Sequence, residues 1–155
     1  NAINEKYSMP VIVSTHPRTK INIENLNISL NEEIKFMKPF GFFDYTKLQI
    51  NSFCVLSDSG TITEESSILN FPALNLREMH ERPEGFEECG VMMVGLELDN
   101  VLSALEIIKK QKIDAKKYSK IVKDYDIDNV STKVVRIIQS YTDYVNRVVW
   151  KKYRS

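Results

Sequence analysis

The residues best suited to chemistry lie between Leu56 and Glu84, in the run LSDSGTITEESSILNFPALNLREMHERPE. Phe53-Cys54-Val55-Leu56 is an apolar run of strand length, and Ser57-Asp58-Ser59-Gly60 is turn chemistry. Thr61 then opens a helical segment with Thr63, Glu64 and Glu65 in its first turn and Ile62, Ser66 and Leu69 on one face. Hydroxyl and acidic side chains at that end are expected to cap free N–H groups and to complement the helix dipole. A strand feeding a glycine turn and a helix N-terminus gathers several backbone N–H groups that point outward together, which is anion-binding chemistry. Downstream, Arg77 and Arg82 stand in the charged run Arg77 to Glu84. Such a run is ordinarily a solvated loop. Two guanidinium forks beside an anion turn also match phosphate geometry. The second candidate is His16, which follows the strand-like Pro10-Val11-Ile12-Val13-Ser14-Thr15. Open α/β sheets place ligand groups at such strand ends; on local sequence alone a satisfied loop histidine is the simpler reading.

Positioning these residues requires a scaffold of short strands and helices. Ile34 to Met37 reads as a strand closed by Lys38-Pro39, and Asp44 onward as a short helix with Tyr45 and Leu48 on one face. The aromatic group Phe40, Phe42, Phe43 and Tyr45 reads as core, although loop aromatics also line bases. Pro72 to Leu76 and Val91 to Val94 are further strands. Val101, Leu102, Leu105 and Ile108 recur at helical spacing, and Lys116 to Lys123 is a shorter helical candidate. Between Lys20 and Glu33 the pattern is weak and fits a short helix and a loop. The C-terminal helix is expected over about 130–150, where Val134, Val135, Ile138, Tyr141, Val145 and Val148 recur every three or four positions. Strands alternating with helices predict an α/β fold with a mainly parallel sheet, and the absence of a linker or repeat predicts a single domain over residues 1–155.

Composition narrows the function classes. Lys plus Arg and Asp plus Glu both number 21, so the net charge is zero and a nucleic-acid partner is not expected. Cys54 and Cys89 have no metal-ligand spacing, so neither a metal nor a disulfide framework is expected, and a reducing, cytoplasmic setting fits. No apolar run approaches the roughly 18 residues of a membrane span, and the N-terminus lacks signal-peptide character. Asn1 in place of Met fits a processed or truncated start.

Several ordered motifs resemble one family, the non-hydrolysing UDP-N-acetylglucosamine 2-epimerases. They are Ser57-Asp58-Ser59-Gly60 through Glu64-Glu65, Leu76-Arg77-Glu78, and His80-Glu81-Arg82-Pro83-Glu84. Ser14-Thr15-His16-Pro17-Arg18, Pro39-Phe40-Gly41-Phe42 and Gly90-Val91-Met92-Met93-Val94-Gly95 are similar too. The resemblance covers most of the chain, weakly over 20–33 and after Lys109. It implies a Rossmann-like three-layer domain equivalent to the C-terminal half of a two-domain, GT-B-like enzyme, with the N-terminal catalytic half absent. It further implies that Ser59 and the Gly60-Thr61 backbone hold a diphosphate, that Glu65 takes the ribose hydroxyls, that Arg82 lies near the phosphates and that Tyr45 lies near the nucleotide. His16 matches a histidine at the active cleft. The implied ligands are UDP and a UDP-N-acetylhexosamine, with no separate cofactor, and a homodimer is common in the family.

Two departures stand out. Pro17-Arg18-Thr19 follows His16 where the family usually has Arg-Arg-Glu, and Thr61 replaces a common second glycine. Both resemble the branch acting on 2-acetamido-2,6-dideoxy-hexoses, on the route to UDP-N-acetyl-L-fucosamine and surface polysaccharide. The reaction implied is elimination of UDP across C1–C2, leaving a glycal-like intermediate, and re-addition after a proton returns to the other face. The carboxylates that handle that proton belong to the family's other half. A glycosyltransferase C-terminal domain would share this architecture without needing the His80 to Glu84 segment, and a non-catalytic UDP-sugar-binding module is the reading of a different class. On the sequence, loss of Arg82 is expected to weaken UDP binding and leave the melt nearly unchanged.

Overall fold

The computed structural model describes residues 1–152 apart from 27, 80, 89 and 115–119. Chain order alternates helix and strand: α1 Ala2–Tyr7, β1 Val11–Ser14, α2 Pro17–Asn25, β2 Ile34–Met37, α3 Phe42–Asn51 and β3 Val55–Ser57. There follow α4 Ile62–Leu69, β4 Ala73–Asn75, α5 Glu84–Glu88, β5 Val91–Met93, α6 Leu98–Asp114 and α7 Val130–Tyr144, the last running into a π-helical turn, Val145–Val149. All strand pairing is parallel, in a two-stranded sheet β1–β2 and a three-stranded sheet β3–β4–β5. The expected α/β class with parallel strands holds, with the sheet in two pieces.

The three-stranded sheet is a sandwich built by period-two alternation. Val55, Ala73 and Val91 lie in one register row, and all three pack with Ile62, Leu69 and Phe71 from α4 and its exit. The next row, Leu56, Leu74 and Met92, packs on the opposite face with Val101, Ala104, Leu105 and Ile108 of α6. The central strand β4 is wholly buried, as a parallel strand covered on both faces must be. The third row, Ser57, Asn75 and Met93, ends the strands at the edge that carries the candidate anion turn.

Several elements differ from expectation for identifiable reasons. Helix α2 begins at Pro17, so His16-Pro17-Arg18-Thr19 is a helix start and not a loop: His16 caps it and Pro17 sits where a missing N–H costs nothing. Helix α3 begins at Phe42 on a Gly41 cap, two residues before the expected start. Its first-turn Phe42 and Phe43 are 77% and 84% exposed, which corrects their assignment to the core. Of the candidate helix Lys116 to Lys123, residues 116–119 lie outside the described residues. Lys120 to Lys123 is not helical, because the Val122 N–H is taken by Ser67 Oγ at 2.9 Å and its side chain is buried. The amphipathic C-terminal helix exists over Val130–Tyr144, yet no residue of it or of the π turn is buried.

Candidate functional site

The β3–α4 turn is organised by its own hydroxyls. Ser57 Oγ, at the end of β3, accepts the Ser59 N–H at 3.0 Å, and Ser59 Oγ accepts the Thr61 N–H at 3.3 Å. These short loops back to the chain fold the turn tightly. Thr61 is already in the right-handed helical region (φ −73, ψ −9), and α4 has no side-chain cap bond. A capping side chain needs extended backbone at its own position. Thr61 Oγ1 instead donates to Glu65 Oε1 at 2.7 Å, one turn along, and lies 3.0 Å from Ser59 Oγ. The expected side-chain cap is therefore absent, and the first bond of the helix runs from the Glu65 N–H to the Thr61 carbonyl at 3.0 Å. The dipole end and the turn hydroxyls face the same place.

Arg82 lies over this turn. A Cβ at Gly60 would meet the Arg82 guanidinium and the Glu81 carboxylate, so both side-chain tips lie directly against the glycine. Arg82 pairs through Nε with Glu64 in the first turn of α4, and through Nη1 with Glu81 at 3.4 Å. Arg77 pairs with Glu81 at 2.5 Å and so stands one residue further from the turn. The loop is pinned where α5 meets α4: Gly85 is buried, and a Cβ there would run into the Thr63 methyl. Tyr125 OH adds a hydrogen bond to Glu84 Oε1 at 2.8 Å, which holds the Glu84 carboxyl below its usual range.

Across the turn, α3 brings Tyr45 and Gln49 to Glu65. Gln49 Nε2 donates to Glu65 Oε2 at 2.5 Å, so both carboxylate oxygens of Glu65 have a donor, one from each helix. Burial, and then the Glu65 charge, push the Tyr45 hydroxyl above its ordinary range, while Gln49 opposes the rise by hydrogen bonding. Tyr45, Glu65, Thr61, Ser59, Gly60 and Arg82 thus fall around one helix end. Among the described residues, two buried oxygens there have no hydrogen-bond partner: Glu64 Oε2 and Asn75 Oδ1, the latter at the C-terminal end of β4.

His16 is exposed, and its Nδ1 accepts the Arg18 N–H at 3.3 Å as the α2 cap. That bond assigns the ring proton to Nε2 in the neutral form. Its ring bonds nothing in the β3–α4 turn among the described residues. His80 and Cys89 lie outside the described residues. Sequence reasoning missed Gln49, Glu64 and Glu81 as members of the site. A glutamine on the apolar face of α3, one turn beyond Tyr45, was the available signal for the first. Glu64 and Glu81 looked like ordinary surface charge.

The chain matches the family model described as UDP-N-acetylglucosamine 2-epimerase over residues 1–139. It is 35% identical over 114 residues to the UDP-N-acetylglucosamine 2-epimerase of Methanocaldococcus jannaschii, spanning 71% of this chain and 31% of that one. Its fold superposes on the UDP-N-acetylglucosamine 2-epimerase of Rickettsia bellii with a TM-score of 0.84 and 46% identity, covering 97% of this chain and 42% of the other. It likewise superposes on the Methanocaldococcus jannaschii enzyme solved in complex with UDP-GlcNAc and UDP, with a TM-score of 0.76 and 31% identity, covering 90% and 38%. The chain thus spans well under half the length of these relatives. With the family model matched over residues 1–139 and the fold shared with these relatives, the chain belongs to the UDP-N-acetylglucosamine 2-epimerase family.

Proposed function

We propose that this chain is the nucleotide-holding C-terminal half of a UDP-N-acetylhexosamine 2-epimerase, and that its partner in catalysis is an N-terminal half supplied by a longer polypeptide. The observation that carries the reading is Arg82 folded over Gly60 at the open end of α4, beside the Ser57–Ser59–Thr61 hydroxyls. That is a place for a diphosphate, with helix N–H groups, hydroxyls and one guanidinium converging on it. Glu65 takes the ribose hydroxyls, and half-buried Tyr45 flanks the base. As UDP leaves C1, charge grows on the diphosphate, so preorganised donors act most strongly at that moment. His16 presents an imidazole able to assist proton transfer or hold the leaving group.

A second half is supported by the exposed apolar stripe of α7 and the turn after it. Val134, Ile138, Tyr141 and Val148 are 47%, 54%, 59% and 47% exposed, a continuous apolar face of the kind that marks an interaction surface. The substrate branch we favour is a 6-deoxy sugar on the route to a surface polysaccharide, from Thr61 and from Pro17-Arg18-Thr19 after His16. The setting we favour is cytoplasmic, where nucleotide sugars are made; among the described residues no helix is long and apolar enough to cross a membrane. A homodimer fits the same reading. Incubating the chain with UDP-N-acetylglucosamine and following C2 by NMR tests it: binding without inversion is expected. Inversion by this chain alone would overturn the half-enzyme assignment.

A further inference from the structure

The carboxylate assigned above to the ribose is held from two sides before any ligand arrives. Gln49 is only 3% exposed, and a buried amide persists only where its polar atoms find partners. Its amide donates to Glu65 Oε2 at 2.5 Å, while Thr61 Oγ1 donates to Oε1 at 2.7 Å. We infer that Gln49 is a positioning residue which, with Thr61, fixes the Glu65 carboxylate so that the site selects a ribonucleotide over a deoxyribonucleotide. The inference rests on the UDP reading given above.

The carboxylate stoichiometry fits. An ionised carboxylate accepts about four hydrogen bonds; Gln49 and Thr61 take one on each oxygen and leave room on each for one hydroxyl of a vicinal diol. A glutamate left to rotate would lose side-chain entropy on closing around the ribose, and two fixed donors remove most of that loss in advance. The donors also come from different helices, Gln49 from α3 and Thr61 from the start of α4, so the carboxylate is set by the packing of the pair. Tyr45 stands one turn before Gln49 on the same helix and feels the Glu65 charge. The group flanking the base and the group holding the sugar therefore share one support.

The test is a comparison of UDP with 2′,3′-dideoxy-UDP, titrated by calorimetry into the chain and into Gln49→Met, which keeps length and apolar volume and removes the amide donor. UDP affinity is expected to fall about tenfold or more in the variant, the worth of a hydrogen bond to a charged group, while dideoxy-UDP affinity stays within about twofold. If Gln49→Met does not fold, the same pair of titrations on Gln49→Asn, whose shorter side chain carries its amide out of reach of Glu65 Oε2, is expected to show the same selective loss. Equal loss for both nucleotides, or no loss for either, would make Gln49 a structural link between α3 and α4 and overturn the inference while leaving UDP binding intact. A wild-type chain that binds neither nucleotide would overturn the UDP reading itself, and the inference with it.

Discussion

At the scale of single residues, charge partners decide what a substitution does. Arg82 is two-thirds buried and is the only guanidinium over the anion turn among the described residues. Arg82→Ala is expected to weaken UDP binding about tenfold to a hundredfold, the worth of a charge-assisted hydrogen bond. The melt should also fall, contrary to the sequence expectation: Glu64 would lose its ion-pair partner while its other oxygen already lacks one. At partial exposure that costs about 1 kcal/mol, or roughly 2–4 °C for a chain of this size. Paired calorimetric and thermal measurements on the variant check both effects. The turn from Ser57 to Gly60 was legible in the sequence because turn chemistry is local, whereas the position of Arg82 beside it was an expectation from the family resemblance. Gln49 was not legible, because its role exists only where α3 crosses α4, and nothing in its own neighbours in the chain reports that crossing.

At the scale of elements, contrast between α6 and α7 gives the sharpest expectation. Both carry apolar residues every three or four positions, and from sequence both read as amphipathic helices. Helix α6 buries Leu105 to 1% exposure and Ile108 to 0%, whereas α7 buries nothing. Leu105→Ala should therefore cost about 2–5 kcal/mol, and Ile138→Lys should change the melt of the chain by less than about 0.5 kcal/mol. Denaturant unfolding of the two variants distinguishes them. Periodicity showed where both helices lie, but not what covers them; burial belongs to the fold's partners, not to a helix's own pattern.

Helix α1 is fastened to α6 through Glu106. Tyr7 OH donates to Glu106 Oε1 at 2.8 Å, and Lys6 sits 3.3 Å from the same oxygen. Burial, then the hydrogen bond to Glu106 and its charge, push the Tyr7 hydroxyl up to about 12 from 10.0, and the same hydrogen bond holds Glu106 below 4.5. The raised Tyr7 value means its contribution is complete below pH 10.0 and is lost as pH climbs towards about 12. The lowered Glu106 value means its contribution is complete above 4.5 and is lost as pH falls through the folded value beneath it. Tyr7→Phe should lower the melt by a constant amount between those limits and by less outside them, a profile that thermal scans across pH would record.

At the scale of the whole molecule, the α/β class was legible because strands and helices alternate in strict order. The division into two parallel sheets was not, since pairing partners lie 18 to 23 residues apart and no local pattern reports whether β1 meets β3. The proposed nucleotide site lies on the three-stranded sheet, and the open face of α7 is the surface proposed to meet a second half. The turn from Ser57 to Thr61, with Tyr45, Glu65 and Arg82 around it, is the proposed UDP site. Calorimetric titration of UDP into the 155-residue chain, with AMP as the control, tests that most directly. One UDP site that AMP does not compete for is expected; failure of UDP to bind, or equal binding of AMP, would rule the proposed site out.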